Sequence, residues 1–251
     1  MSTPRERRLF KEFERMMALR SPYSLFTFQC ADLSAPEATE FLKTKMSAEV
    51  ITSALPGFLS PEEFRRQHPD APPEKYLILY TCKGLMRTPD GNIVESYLHA
   101  MEIIFGWDYP TKAPTFVWLT PIWHPNFNPP YICTQGRPFA VGLGLDQIVL
   151  TVGEMVQYRN YNVNDPLNRE AAEWARQNAH RFPVDDRDLL DRRRRVGMRV
   201  DRFSSEGEPL VQLLPPGKVE MQHPEQLIEL VELDMSDIKR RSVGPSGKAG
   251  I

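Results

Sequence analysis

The stretch from Tyr109 to Cys133 constrains this chain more than any other. It reads Tyr109-Pro110-Thr111-Lys112-Ala113-Pro114, then Thr120-Pro121-Ile122-Trp123-His124-Pro125-Asn126, then Ile132-Cys133. Proline fixes φ and has no N–H to give to a sheet. The apolar run at 115–119 is therefore a short strand, bounded by Pro114 and Pro121. Pro125 holds His124 and Asn126 in a tight turn, and Pro129-Pro130 stiffens the segment after it. A cysteine then stands a few residues beyond that turn. The chain has three, Cys30, Cys82 and Cys133, widely spaced and odd in number. Disulfide frameworks and zinc sites use paired, closely spaced cysteines, so neither is expected, and no metal or cofactor is expected either. A reducing, cytoplasmic setting keeps such thiols free.

Elements on either side follow from local signals. Thr3-Pro4-Arg5-Glu6 is a capping box with proline at the first helical position. Leu9, Phe10, Phe13, Met16 and Met17 follow at helical spacing, and the helix ends near Arg20-Ser21-Pro22. Arg5, Arg7, Arg8, Lys11 and Glu12 surround that stripe. Strands are expected at 24–30, 76–82 and 96–105, with a turn at Thr88-Pro89-Asp90-Gly91-Asn92. Cys82, in mid-strand, reads as a buried, inert thiol. Two further capping boxes begin at Ser34 and Ser60, the first with Ala38, Phe41 and Leu42 inward, the second around Phe64. Residues 35–73 read as an inserted surface element. A glycine-bearing loop at 136–144 leads to a helix at 146–160, with Ile148, Val149, Val152, Met155 and Val156 on one face. Gly153 weakens that helix by about 1 kcal/mol relative to alanine. Asp165 reads as an N-cap with Pro166 at the first helical position, opening a helix with Leu167, Ala171, Trp174 and Ala175 inward that ends by Phe182-Pro183.

The order of helix, strands with short turns, cysteine loop and helices is an α+β arrangement. From Asp185 the character changes, which divides the chain into a domain at 1–185 and an extension at 186–251. The extension holds a basic run from Arg192 to Arg195 within a helix, β-prone stretches at 209–214 and 226–233, and a Gly/Ser-rich end at 240–251 expected to be disordered. A net charge of −2 argues against binding nucleic acid by bulk attraction to phosphate. No apolar run approaches the roughly 18 residues of a membrane span, and residues 1–11 lack the apolar core of a secretion signal. Neither a nucleic-acid nor a membrane partner is expected.

Four segments occur together in one order: Tyr109 to Pro114 as YPxxxP, His124-Pro125-Asn126, Ile132-Cys133, and Asn164-Asp165-Pro166-Leu167. In them the chain resembles the ubiquitin-conjugating enzyme family, over about residues 5–183. The resemblance implies an N-terminal helix, a four-stranded antiparallel meander, a loop bearing the cysteine, and C-terminal helices. It implies that Cys133 takes a ubiquitin-like modifier from an activating enzyme as a thioester. An amine, usually that of a lysine, then collects the modifier, commonly with a ligase holding both parties. Asn126 would either donate to the oxyanion or order the active-site loop. Asp165 would orient the incoming lysine and help remove its proton. His124 and Pro125 would support the site, Tyr161 and Asn162 would shape the acceptor channel, and Arg5, Arg7, Arg8 and Lys11 would dock the activating enzyme.

The chain also departs from the family. One residue fewer separates Asn126 from Cys133 than in common eukaryotic members. Thr111 replaces an aromatic that docks RING-type ligases, Leu143 and Gly144 replace a Ser-Pro-Ala-like contact, and Val141 stands where a tryptophan is often found. Such departures, together with a long insertion and tail, resemble those of the bacterial relatives encoded beside their own ubiquitin-like proteins. Two other readings compete: a catalytically silent ubiquitin-binding scaffold, and a cysteine hydrolase using His124 or His180.

Overall fold

Helix α1 (Pro4–Leu19) begins where its capping box places it. In the computed structural model, which describes residues 2–38, 55–134 and 144–190, the Thr3 hydroxyl accepts the Glu6 N–H at 3.1 Å. The Glu6 carboxylate accepts the Thr3 N–H at 2.7 Å in return. All the described residues lie in one compact unit, residues 1–199. The expectations for Phe41, Leu42 and Val141, for most of the loop at 136–144, and for the extension beyond Leu190 fall outside the described residues.

The strands in chain order are β1 (Phe26–Ala31), β2 (Lys75–Tyr80), β3 (Gly84–Arg87), β4 (Ile93–Ser96), β5 (His99–Ile104) and β6 (Thr115–Trp118). Strands β1, β2, β5 and β6 form one antiparallel sheet in that order, the expected meander. Strands β3 and β4 form a separate hairpin that the sequence did not signal, so the strand expected at 96–105 begins only at His99. The Thr88–Asn92 turn closes that hairpin, with Gly91 at φ +88°, where a side chain would be strained.

Both faces of the meander are covered, which explains the unbroken apolar run from Tyr76 to Tyr80. Tyr76, Ile78, Tyr80, Met101 and Ile103 face the main core, with Leu9, Phe13 and Met16 of α1. Helix α3 (Leu145–Val156) adds Ile148, Val149, Val152, Met155 and Val156 to it, the face read from the sequence. Leu77, Leu79 and Ala100 point the other way, onto Ala31, Ala35, Ala38, Leu55 and Phe58. The described ends of the 35–73 segment are thus a packed layer over the sheet. Phe64 of α2 (Pro61–Gln67) enters the main core instead. Two charged groups are buried under that layer. The Lys75 ammonium donates to the Ala35 carbonyl, and both Glu102 carboxylate oxygens accept the Ala38 N–H at 3.2 Å. Each has a partner, as burial of a charge demands.

Gly153 is explained by close approach. A Cβ there would lie 2.6 Å from Leu189 Cδ1 and 3.1 Å from Tyr80 Cε1. Leu189 is buried, its carbonyl accepts the Leu25 N–H at 2.9 Å, and buried Asp185 accepts the Lys83 N–H at 2.7 Å. Packing therefore continues past Asp185 to the end of the described chain.

Candidate active site

After β6 the chain makes the His-Pro-Asn turn and then a minimal hairpin, β7 (Phe127–Asn128) and β8 (Tyr131–Ile132), closed by Pro129-Pro130. Phe127 is fully buried and packs edge-on against Trp118, 4.6 Å between ring centroids. The Trp118 N–H donates to the Pro130 carbonyl at 2.9 Å, which ties the hairpin to the sheet. One hydrogen bond past the last strand pair, the Cys133 N–H donates to the Asn126 carbonyl at 2.8 Å. The nucleophile candidate thus hangs from the turn's asparagine.

The three cysteines separate by burial. Cys30 and Cys82 are inside the core, and burial pushes the Cys30 thiol far up and the Cys82 thiol up to about 12. Cys133 is half-buried and in reach of solvent. The buried pair lacks both the access and the thiolate character that nucleophilic sulfur needs.

His124 is completely buried between the rings of Phe127 and Tyr158, with centroids at 4.9 Å and 4.5 Å. Its Nδ1 accepts the Asn126 N–H at 3.1 Å. The neutral ring must then carry its proton on Nε2. Burial pushes its pKa down to about 3, so it is neutral at pH 7. No ring nitrogen is left to take a proton from Cys133. Supporting the turn is what this geometry allows.

The Asn126 side chain is also fully buried and bonds reciprocally with one backbone position. Its Nδ2 donates to the Asn162 carbonyl at 3.0 Å, and its Oδ1 accepts the Asn162 N–H at 2.7 Å. That clamp orders the loop at 160–168. Two more bonds hold the same loop: the Asn168 N–H donates to the Pro125 carbonyl at 2.9 Å, and Arg176 donates to the Val163 carbonyl at 2.5 Å. The Tyr158 hydroxyl, just upstream, donates to the Trp123 carbonyl at 2.5 Å. Of the two readings of Asn126, loop ordering is the one its bonds display.

Asp165 lies exposed in this loop and does not cap the following helix, contrary to the sequence reading. Helix α4 (Arg169–Gln177) is capped by Asn168, whose side chain accepts the Ala171 N–H at 3.0 Å. The reason is tertiary. The Asn168 N–H is held by the Pro125 carbonyl and Asn168 is extended, so the helix starts later than Pro166 suggests. Tyr161 packs on Tyr158 and Phe182, with centroids at 5.6 Å and 5.1 Å, and forms the floor of the loop.

The four basic residues of α1 that the resemblance implies for docking divide. Arg5 donates to the carbonyls of Phe105 and Gly106 and pairs with Glu74 at 2.6 Å. Arg8 pairs with buried Glu12 at 2.5 Å. Arg7 and Lys11 are exposed. Glu12 went unread as more than a flanking charge. Its carboxylate also accepts the Tyr109 hydroxyl at 3.2 Å and the Leu145 N–H at 2.7 Å, so it supplies the cap that Gly144 cannot give α3. The legible signal was its place between Leu9 and Phe13 on the apolar stripe.

A four-stranded meander with a helix on its inner face, followed by a His-Pro-Asn turn that carries a cysteine, defines a ubiquitin-conjugating fold. The sequence model for the ubiquitin-conjugating enzyme family matches residues 61–187. The chain belongs to that family, whose members are transferases of the ubiquitin-conjugation pathway. It is 31% identical over 112 residues to the probable ubiquitin-conjugating enzyme E2 31 of Arabidopsis thaliana, covering 43% of this chain and 70% of that one. Among solved structures, S. cerevisiae Ubc12 aligns over 70% of each chain with a TM-score of 0.41 and 20% identity.

Proposed function

We propose that this chain accepts a ubiquitin-like modifier on Cys133 as a thioester and passes it to an amine, in most cases that of a lysine. The observation that carries this is the state of its thiols. One of three is half-buried and in reach of solvent, and it is the one suspended from a turn that is bonded to the facing loop. In the first step the Cys133 thiolate adds to the thioester carbonyl of the modifier on the activating enzyme. The old C–S bond breaks and the donor's thiolate leaves. In the second, an amine adds to the new thioester, the Cys133 thiolate leaves, and the amine proton passes to a base. Asp165, on the loop that Asn126 orders, is the residue for that proton and for orienting the lysine. Neither step needs a histidine base, which accords with His124 having no nitrogen to offer.

The partners are an activating enzyme, the modifier and a ligase, in a reducing compartment. Arg7 and Lys11 are the docking residues on α1. Arg5 and Arg8 shape the same surface from within the fold, and their own bonds limit them to that. The hydrolase reading loses His124 as a base and is left with His180, exposed on the turn after α4, and the silent-scaffold reading leaves a half-buried, solvent-reachable cysteine without use. The test is to mix the protein with a modifier, its activating enzyme and ATP. A reductant-sensitive adduct is expected, and Cys133→Ser should trap a reductant-resistant ester. Loading that survives in the Cys133→Ala variant overturns the assignment. Charge reversal at Arg7 and Lys11 should slow loading without changing the stability of the fold.

A further inference from the structure

An arginine in the last turn of a helix meets the negative end of the helix dipole and needs no further explanation. Arg176, in the last turn of α4, draws notice through where it reaches. Its Nη2 leaves the helix and donates to the Val163 carbonyl, 13 positions back, in the loop that faces the His-Pro-Asn turn. Its Nη1 pairs with Glu173 at 3.1 Å, and the other oxygen of that carboxylate accepts from the Gln177 side chain at 2.9 Å. An exposed pair at this spacing adds little stability. It does hold a long side chain in the direction that ends at Val163, so less freedom is lost when the charge-assisted bond forms.

Helix α4 acts as a splint for that bond. Its N-cap residue, Asn168, is bonded to the Pro125 carbonyl at 2.9 Å. Glu170 in its first turn pairs with Arg87 of β3 at 2.6 Å, and Ala171, Ala172 and Ala175 are buried beneath it. One end of the helix is thus fixed to the turn, and the other end fixes the loop. Between these two ties stands Asp165, exposed. Among the described residues nothing bonds its side chain. A carboxylate without a partner stands where its backbone puts it. The nearest hold on that backbone from outside the loop is at Val163, two residues upstream, whereas Asn162 and Asn168 are each three away.

We propose that Arg176 is a positioning residue for transfer to the amine. By holding the Val163 carbonyl against α4, it fixes where the Asp165 carboxylate stands when the amine arrives. It touches neither the amine nor the thioester. Without it the carbonyl turns to water, and the carboxylate spends less time within reach of the amine proton. This rests on the thioester reading given above and on the role given there to Asp165.

The test uses the full chain, acylated on Cys133 by a synthetic peptide thioester of mercaptoethanesulfonate ending in Gly-Gly. The Cys133 thiolate adds to the thioester carbonyl, the C–S bond to mercaptoethanesulfonate breaks, and that thiolate leaves. Excess donor is removed and free L-lysine is added over a range of concentrations. The lysine amine adds to the carbonyl, the bond to Sγ breaks, and the amine proton goes to Asp165 and on to water. Loss of the acyl mass is followed by intact mass spectrometry. Arg176→Ala is expected to lower the maximal discharge rate about tenfold, with the half-saturating lysine concentration changed by less than about twofold. Acylation and the urea midpoint should hold, because a side chain this exposed leaves no cavity. Arg176→Lys should recover to within about threefold, since one N–H to one carbonyl does not need the guanidinium fork. In the Asp165→Asn background, Arg176→Ala should cost less than about twofold more. An unchanged rate in Arg176→Ala, no recovery in Arg176→Lys, or a tenfold loss that persists on top of Asp165→Asn overturns the assignment of Arg176 and leaves the thioester reading standing. So does a loss in acylation equal to that in discharge. An Asp165→Asn variant that discharges like wild type overturns the roles of both residues. A wild-type chain that takes no acyl group while iodoacetamide still alkylates Cys133, or never yields one to lysine, overturns the thioester reading as well.

Discussion

The two sides of the site are held by different means. The turn side, from Trp123 to Ile132, is an outgrowth of the core, with His124, Asn126 and Phe127 fully buried. The facing loop, 160–168, has no fully buried residue and hangs on bonds at Asn162, Val163 and Asn168. A rigid support for Cys133 stands opposite a lightly tethered loop that carries the exposed carboxylate of Asp165. Substitutions on the first side should therefore unfold the protein, and those on the second should change its chemistry while sparing its stability.

The largest effect expected is from Phe127→Ala, which removes a fully buried ring between Trp118 and His124. A loss of about 3–5 kcal/mol is expected in urea unfolding. A loss under about 1 kcal/mol would mean that the turn is not part of the core. Next comes Asp165→Asn on the other side. Transfer to lysine should slow about 100-fold while loading of Cys133 and the urea midpoint hold. Equal losses in loading and transfer would show that the loop does more than serve the amine.

The smallest effect is one of pH. Burial holds the pKa of His124 down to about 3 and that of His99 to about 4. In the unfolded chain a histidine titrates near 6.5. The unfolded state therefore binds protons first as pH falls. Stability is full above about pH 6.5 and is lost on acidification toward pH 4, at about 1.4 kcal/mol per pH unit for each histidine. Between pH 7.5 and 5 each accounts for about 2 kcal/mol, and His124→Asn should remove half of the combined slope. An unchanged slope would mean that His124 is open to solvent in the native state.

Much of this was legible without the fold. The capping box at Thr3, the meander, the buried stripe of α3 and the unusual placement of Cys133 all come from local pattern, because side-chain spacing and proline geometry act over a few residues. The misreadings share a cause as well. The cap was assigned to Asp165 because Asp-Pro is a strong local signal, but a bond from Asn168 to Pro125, 43 positions away, moved the helix start. Ala35, Ala38, Leu55 and Phe58 read as parts of a surface element because nothing in their own sequence says that the sheet's second face needs a cover. Glu12 read only as a charge flanking the apolar stripe, and the Leu145 N–H that it caps is 133 positions away.

The sequence by itself determined the family and the periodicity of the elements. Those depend on residue type and short spacing. Only the tertiary structure decided which thiols are closed to solvent, that His124 has no ring nitrogen free to accept a proton, and that the Asn126 amide binds Asn162. Burial and hydrogen-bond partnership depend on segments far apart in the chain, and no local pattern encodes where those segments meet.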